Sequence, residues 1–288
     1  MTSRQQRFGI AAAAVLAAPV LVGAVYATAG ALGLVGPGAS GQISLERTAR
    51  VLTERAVIEG TLWILWAATA STVLAGAAAV GIAVALRGTG RLDRVGQTLA
   101  VLPLPVPHLV AAVGGLLILG QSGFVARVAY HVGVIDGPAS MPELVYDPLG
   151  IGLIVALVWK EIPFLTLVAV SVLATRGQAL EATARGLGAT GRDVFLRVTW
   201  PVLWRGMLPA TVAVFTFVAG SYEAAVILAP SDPLPLPVLT WERFVDAGLA
   251  NRADAFVLAL LGLAIAALAV GAHEWVRAKL PGLDGAHT

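Results

Sequence analysis

The chain alternates between long stretches that carry no charge and shorter segments that contain nearly all of its charged residues. The apolar core of a bilayer is about 30 Å thick, and a helix rising about 1.5 Å per residue needs about 20 residues to cross it. Six stretches are long and apolar enough, and the first three of them carry no charge at all. They are 8–35, 60–86, 99–119 (within 95–126), 149–175, 207–230 and 255–276. The pattern therefore predicts an all-α polytopic membrane protein with six transmembrane helices.

Composition supports a membrane protein and excludes several other classes. Hydrophobic residues make up 58% of the chain and charged residues 12%, whereas a soluble domain has about 25% charged residues. The absence of cysteine excludes disulfides, thiolate catalysis and cysteine-ligated metals. The net charge is only +2, and the basic residues form no concentrated patch, so the sequence predicts no nucleic-acid partner.

Lysine and arginine are enriched in alternate loops, which predicts the orientation of the helices, because cytoplasmic loops of membrane proteins carry an excess of both. With both termini inside, twelve of these residues lie on the cytoplasmic side and six outside. Acidic residues show the opposite bias, with ten outside and five inside. The sequence therefore predicts that both termini are cytoplasmic.

The first stretch has a second interpretation as a cleavable signal peptide. Arg4 and Arg7 precede it, and the small residues at 27–29 are similar to a signal-peptidase site. Its apolar run of 28 residues is longer than the roughly 7–15 residues of a signal sequence, so we expect an uncleaved first helix.

A charged loop between the fourth and fifth stretches is the most distinctive segment. Residues 179–187 are good helix formers, Gly188 and Gly191 interrupt them, and 193–198 can resume a helix that Pro201 ends. Isolated helices shorter than about 12 residues are marginal in water, so this element needs something to pack against. The sequence alone leaves two choices, an amphipathic connector on the lipid surface or a docking element for a partner.

The spacing of this loop resembles the EAA loop of permease subunits of bacterial type I ABC importers. Gly188 and Pro201 are thirteen residues apart, as in that pattern, and Val198 takes its aliphatic position. The loop departs from the pattern at Trp200 and Thr183, and in its glutamate. Glu181 lies one residue before the expected register, which falls on Ala182.

The resemblance extends over about residues 50–277 and implies the organisation of the whole chain. Residues 1–35 would form a leader transmembrane helix and 36–59 an external segment. Residues 60–277 would form a five-helix permease core that includes the cytoplasmic coupling loop 177–208, and 278–288 would form a cytoplasmic tail.

The resemblance also implies the partners. In this family the loop forms a coupling helix that sits in a cleft of a cytoplasmic ATPase. The implied coupling residues are Glu181, Ala182, Arg185, Gly188, Ala189, Val198 and Pro201. Because the sequence contains no Walker phosphate-binding motif, we expect no enzyme activity and no cofactor in this chain, with ATP and Mg²⁺ used by the partner. The other expected partners are a second permease subunit, an external substrate-binding protein and lipid, in a bacterial inner membrane.

Two roles for Glu181 remain open. A carboxylate near the start of a helix complements the positive end of its dipole, which is a purely structural role. It could equally contact the ATPase. Arg185 is in turn more typical of a headgroup anchor than of a partner contact.

Three charged residues lie well inside the predicted spans, away from their ends, and a charge at the bilayer centre costs about 2.5–3.5 kcal/mol to insert. Lys160 and Glu161 precede Pro163 in the fourth stretch, and they could tie helices together or line a substrate pathway. Glu223, next to Tyr222 in the fifth stretch, could contact a solute or hold a helix pair. All four polar residues, Tyr222, Glu223, Lys160 and Glu161, are therefore pathway candidates.

Two other classes of membrane protein would leave different signals in the sequence. An ion-coupled secondary transporter would show an inverted repeat, and an intramembrane enzyme would need a nucleophile with its base or a metal site. The four histidines are scattered, and His108 is predicted to be a helix-entry or packing residue.

Within the importers, the loop resembles permeases for polyamines, ferric iron, thiamine or phosphonates. Sulfate or molybdate permeases come next, and sugar permeases are less similar.

Overall fold

The computed structural model of the chain describes residues 3–88 and 90–279, and its regular elements are all helical. A 3₁₀ turn covers Pro138–Ser140, and two π-helical turns cover Leu173–Gly177 and Phe195–Thr199. The α-helices of the described ranges are α1 (Ser3–Ala31), α2 (Glu46–Thr53), α3 (Arg55–Ala85), α4 (Arg91–Val101), α5 (His108–Leu119), α6 (Phe124–His131), α7 (Ile151–Val172), α8 (Gln178–Gly186), α9 (Gly191–Val194), α10 (Trp200–Ala219), α11 (Tyr222–Leu228), α12 (Leu236–Val245) and α13 (Leu249–Lys279).

Six helical stretches within the described ranges are long and apolar enough to cross a membrane, which confirms the all-α, six-span prediction. They are Arg7–Ala31, Arg55–Ala85, His108–His131, Ile151–Thr175, Gly191–Ala219 and Leu249–Lys279. The cytoplasmic location of the termini stays a prediction, and residues 280–288 of the expected tail lie outside the described residues.

A stripe of small side chains on α3 forms the centre of the packing. These side chains recur every fourth residue on one face and are all buried: Ala67, Ser71, Ala75, Ala79 and Ala83. Small residues allow two helix backbones to approach closely, which strengthens packing where lipid supplies no hydrophobic drive. Along this helix α3 packs most extensively against α7, and it also contacts α10.

The first helix packs mainly against α13, as expected of a leader helix outside the five-helix core. The rings of Tyr26 and Phe256 meet edge to face, with their centroids 5.6 Å apart. Gly30 lies so close to the Phe256 ring that no Cβ would fit there. Most other side chains of α1 are exposed to the surroundings, where lipid would solvate them.

The third span differs from the sequence expectation of a helix over 99–119. The chain leaves helical geometry after Val101 and resumes it at His108. Prolines at 103, 105 and 107 lie between these points. Each proline lacks an amide donor and disfavours helical geometry in the residue before it, so a continuous helix cannot form. His108 is the first residue of α5, which agrees with its prediction as a helix-entry residue.

The fifth span is also wrong as predicted over 207–230. The long helical stretch covers Gly191–Ala219 and ends at Gly220, and the chain then forms the separate short helix α11. Hydropathy identified the apolar run correctly but could not locate the break. Glu223 therefore lies in the first turn of a short helix and not in the middle of a span.

The sixth helix begins earlier than the predicted 255–276. It covers Leu249–Lys279, so it includes the buried carboxylate of Asp254. The helix can include this charge because Arg50 neutralises it, with guanidinium-to-carboxylate distances of 2.8 and 2.9 Å.

Gly60 offers a test of the packing around α3. A Cβ added to this buried glycine would overlap the carbonyl oxygen of Leu234. We expect Gly60→Ala to lower the stability of the detergent-solubilised protein by about 1–3 kcal/mol, the usual cost of overpacking. The measurement is the unfolding midpoint from a fluorescence melt.

Gly81→Ala is the matched control, because it lies on the same helix with open space around its Cβ position. It should leave the midpoint unchanged or slightly higher, since alanine favours helix more than glycine does. Equal midpoints for the two variants would contradict the packing described.

Candidate functional site

A tight turn ends α8 and shapes the charged loop. Gly188 adopts a positive φ of 86°, which favours glycine. Its amide donates to the carbonyl of Arg185 at 3.0 Å, and the amide of Ala189 donates to Ala184 at 3.0 Å. This pair of bonds is the Schellman motif, which satisfies the last carbonyls of a helix. The glycine predicted to break the helix therefore also defines the direction in which the chain leaves it.

The loop continues through α9, which joins α10 in one continuous helical stretch. The hydroxyl of Thr190 accepts a hydrogen bond from the amide of Asp193 at 3.3 Å and so caps α9. The second π-helical turn follows directly and leads into α10. The expectation that Pro201 ends a helix is wrong. Pro201 lies directly after the π-helical turn, inside a helical stretch that continues to Ala219, and a local π-helical adjustment lets a membrane helix tolerate a proline.

The predicted coupling residues divide into an exposed face and a buried anchor. Ala182, Arg185 and Gly188 are exposed, together with Leu187, which is 85% exposed. We call residues 182–188 the coupling face. Three further predicted residues, Ala189, Val198 and Pro201, are partly buried beside it. The anchor is Glu181.

Glu181 is buried, with 6% of its surface exposed, and its carboxylate is surrounded by donors from the same chain. One guanidinium nitrogen of Arg87 donates to both oxygens at 2.8 Å. The hydroxyl of Thr199 donates at 2.6 Å, and Arg185 donates at 3.4 Å. The residue lies in the first turn of α8, but α8 continues directly from the π-helical turn after α7, so no free helix end is present there and the principal contacts of Glu181 are with other elements.

Sequence reasoning missed the role of Arg87 and Thr199 in this arrangement. Arg87 follows α3 by two residues and precedes Glu181 by 94, and Thr199 follows Glu181 by 18. Nothing local in the sequence relates the three. Only the packing of α3, α7 and α10 brings them together.

Lys160 and Glu161 lie within α7, and each contacts the interrupted third span. The ammonium of Lys160 donates to the carbonyl of Leu104 at 3.1 Å, in the proline-rich break. A Glu161 oxygen lies 3.0 Å from Nε2 of His108, at the start of α5. The His108 ring also packs against Phe217 of α10, with centroids 4.5 Å apart. These contacts hold the broken helix against two continuous ones.

Tyr222 and Glu223 lie apart from this group at the start of α11. The ring of Tyr222 packs near that of Trp241, with centroids 5.7 Å apart. Glu223 is exposed. Among the described residues, no hydrogen bond or ion pair connects Glu223 to Lys160 or Glu161. The four pathway candidates therefore form two separate pairs.

A charged cluster between α2, α12 and α13 was not expected from the sequence. Asp254 accepts from Arg50 and lies within 3.8 Å of Arg47, while Arg50 and Arg243 both donate to Glu54. Hydrogen bonding to Asp254 raises the pKa of Arg50 above its ordinary value, although desolvation opposes the rise. The sequence signal was Asp254 itself, a lone acid beside a long apolar run.

A second acid near this cluster has a perturbed titration. Asp246 follows α12, and its carboxylate accepts a hydrogen bond from the amide of Gly248 at 2.6 Å. This bond, with a further one from Asn251, lowers the pKa of Asp246 below its ordinary value. The loop that leads into α13 therefore keeps a negative charge at neutral pH.

The chain is similar in sequence to permeases of several transport systems. The chain is 30% identical over 232 residues to a probable molybdenum ABC transporter permease of Haloferax volcanii, covering 78% of this chain and 79% of the relative. It is 29% identical over 145 residues to the sulfate permease CysT of Synechocystis, covering 49% and 47%. It is 28% identical over 167 residues to the thiamine permease ThiP of Brucella abortus, covering 57% and 29%.

Solved structures give the same fold. A bacterial ABC transporter involved in alginate import superposes with a TM-score of 0.72 over 96% of this chain and 98% of its own, at 15% identity. A bacterial alginate ABC transporter in complex with a periplasmic protein that binds an alginate pentasaccharide gives a TM-score of 0.66, at 15% identity, over 93% of each chain. At this identity the likeness concerns the fold alone.

A family match decides the class. Residues 77–280, which include the coupling face, Glu181 and the broken third span, match the family described as binding-protein-dependent transport system inner membrane component. With six apolar helices in the described ranges, the chain is a multi-pass inner-membrane protein. It belongs to that family and is a permease subunit of a type I ABC importer, in which a separate subunit hydrolyses ATP.

Proposed function

We propose that the coupling face 182–188 is the surface on which a cytoplasmic ATPase dimer docks. The observation that carries the proposal is the exposed Schellman turn at Gly188, which presents a short, apolar-tipped helix end outside the membrane core. Leu187 has no apolar neighbours of its own to cover it, as its 85% exposure indicates. ATP and Mg²⁺ would be bound by that partner and not by this chain.

We propose two further partners. A groove between α3 and α10 is lined largely by apolar side chains, among them Val73, Trp204 and Phe215. A second permease subunit, identical or homologous, would pack in this region of the membrane. The external segments 36–59 and 123–148 would face a substrate-binding protein. This assignment uses the orientation with both termini in the cytoplasm, which the arginine distribution supports.

The two pairs of pathway candidates suit different roles. Lys160 and Glu161 are buried and each has a partner in the third span, which supports an interhelical tie. Glu223 is exposed and near the end of a broken span, beside Tyr222, which supports a place in the pathway. We therefore assign the Tyr222–Glu223 pair to the lining of the pathway, with Tyr222 and not the Glu223 carboxylate as the group that would contact an anionic solute.

We propose a tetrahedral oxyanion as the solute. The relatives carry molybdenum, sulfate and thiamine in their names, and a probable molybdenum permease aligns over 78% of this chain, against 49% for the sulfate and 57% for the thiamine permease. This ranks oxyanions above the polyamines, ferric iron and phosphonates that the loop suggested, with thiamine second. Membership of the ABC family makes ATP, and not an ion gradient, the energy source, so the secondary-transporter alternative is not retained.

Gly188 offers a test of the docking surface. We expect Gly188→Val to weaken co-purification of the ATPase about tenfold, because a β-branched residue at positive φ is strained by about 1–2 kcal/mol and the turn is lost. Gly188→Asn should retain binding, since asparagine tolerates this conformation. Membrane insertion, followed by detergent-extracted yield, should be normal in both.

Gly191→Val is the control for added bulk in the same loop. Its Cβ position is also in open space, but its φ is ordinary. If Gly188→Val bound the ATPase and transported as well as Gly191→Val, residues 182–188 would not be the docking surface.

Lys160→Met separates a tie from a pathway role. The variant leaves the carbonyl of Leu104 without its donor, and we expect the stability to fall by about 1–3 kcal/mol. The KM for uptake should be unchanged in the assembled transporter. A changed KM at normal stability would assign Lys160 to the pathway instead. Leu167→Met, at an exposed position on the same helix, is the control for the added thioether.

Uptake by the complete transporter tests the solute. We expect cells with the transporter to accumulate molybdenum or labelled sulfate in an ATP-dependent way, and excess tungstate to compete with this uptake because it has the same shape and charge. Gly188→Val serves as the transport-deficient control at matched expression. Loss of thiamine or spermidine uptake in that control, with oxyanion uptake unaffected, would overturn the assignment.

A further inference from the structure

The carboxylate of Glu181 forms hydrogen bonds that connect three separate parts of the chain. It belongs to α8, while its donors belong to the turn after α3 and to the π-helical turn before α10. We propose that Glu181 is a positioning residue, an internal latch that transmits movement of the coupling face to α3 and α10. The inference rests on the proposed function, because it assumes that an ATPase moves this face.

Burial argues against a direct contact between Glu181 and a docked protein. Its side chain is 7% exposed, and both oxygens already accept charged or hydroxyl hydrogen bonds at 2.8 Å or less. A docked partner would have to break these bonds to reach it, which would leave Arg87 unpaired. The exposed residues around it supply the docking surface, and Glu181 holds that surface in place.

Two π-helical turns mark where the latch acts. One connects α7 to α8 and the other connects α9 to α10, and the two turns contact each other. Such turns are rare and occur mostly as single bulges inside α-helices, frequently at functional sites. Thr199 lies in the second turn, and Gly177, in the first, lies close to the Glu181 carboxylate. Glu181 therefore bonds directly to the second turn and lies beside the first.

The ion pair with Arg87 extends these contacts to α3. Arg87 is 29% exposed and lines a cleft of about 560 Å³ at the cytoplasmic end of α3 and α7. Water in this cleft reduces the desolvation cost of the pair. Because α3 forms the centre of the packing, a force on α8 passes through this pair to the small-residue interface with α7.

The experiment compares coupling with assembly in the complete transporter reconstituted in vesicles. We expect Glu181→Gln and Arg87→Gln to co-purify with the ATPase normally and to hydrolyse ATP. Solute transported per ATP hydrolysed should fall about tenfold, within the range typical of coupling between distant sites. The exchange Arg87→Glu with Glu181→Arg should restore much of that ratio.

Arg197→Gln is the control, because Arg197 makes an ion pair on the same loop, 3.6 Å from Asp193, but is 82% exposed. It should leave the ratio unchanged. Thr199→Val removes one hydrogen bond without changing charge, so it tests the latch if a charge variant fails to insert, and it should give an intermediate loss.

Two outcomes would overturn the latch. Loss of ATPase co-purification in Glu181→Gln, unrelieved by the charge exchange, would make Glu181 a docking contact. Normal coupling in both Arg87→Gln and Thr199→Val would show that the bonds to Glu181 do not transmit movement. If Gly188→Val also binds its ATPase normally, the docking proposal itself fails, so the two failures are distinguishable.

Discussion

Polar groups inside a bilayer must find their partners within the protein, because no water is present to replace them. Continuous helices such as α3 meet this requirement with their own backbone bonds. The third span does not, since its prolines leave carbonyls free between α4 and α5. Lys160 supplies a donor to one of these, Leu104, and Glu161 meets His108 at the point where the helix resumes. Lys160 and Glu161, whose charges are costly to place inside a bilayer, thus lie where the backbone of the third span is interrupted.

The same rule explains the few charges that lie at the membrane boundaries. Asp254 is held by Arg50, which precedes α3, and Glu181 is held by Arg87, which follows α3. Each pair connects a short segment to one of the long helices. These segments are thereby attached to a core in which the central stripe of α3 consists of alanine and serine. The paired charges of this protein therefore attach short segments to the long helices.

Some local features could be predicted from the residues and others could not. Gly188 follows a run of good helix formers, and the turn it makes depends only on the residues around it. The end of α10 at Gly220 was missed because apolar residues continue on both sides of Glu223 to 230, and hydropathy does not distinguish one helix from two. Pro201 was expected to end a helix, yet the helix continues through it to Ala219, since the π-helical turn just before it accommodates the missing amide.

The sequence by itself determined that the chain is a membrane protein with six spans, and where its charged, glycine-interrupted loop lies. These follow from hydropathy, from spacing along the chain and from the amide chemistry of proline and glycine, which act over a few residues. Only the tertiary structure decided that Glu181 faces inward to Arg87 and Thr199. The reason is physical: partners 94 and 18 residues away are selected by how helices pack, and packing depends on all of the surfaces at once.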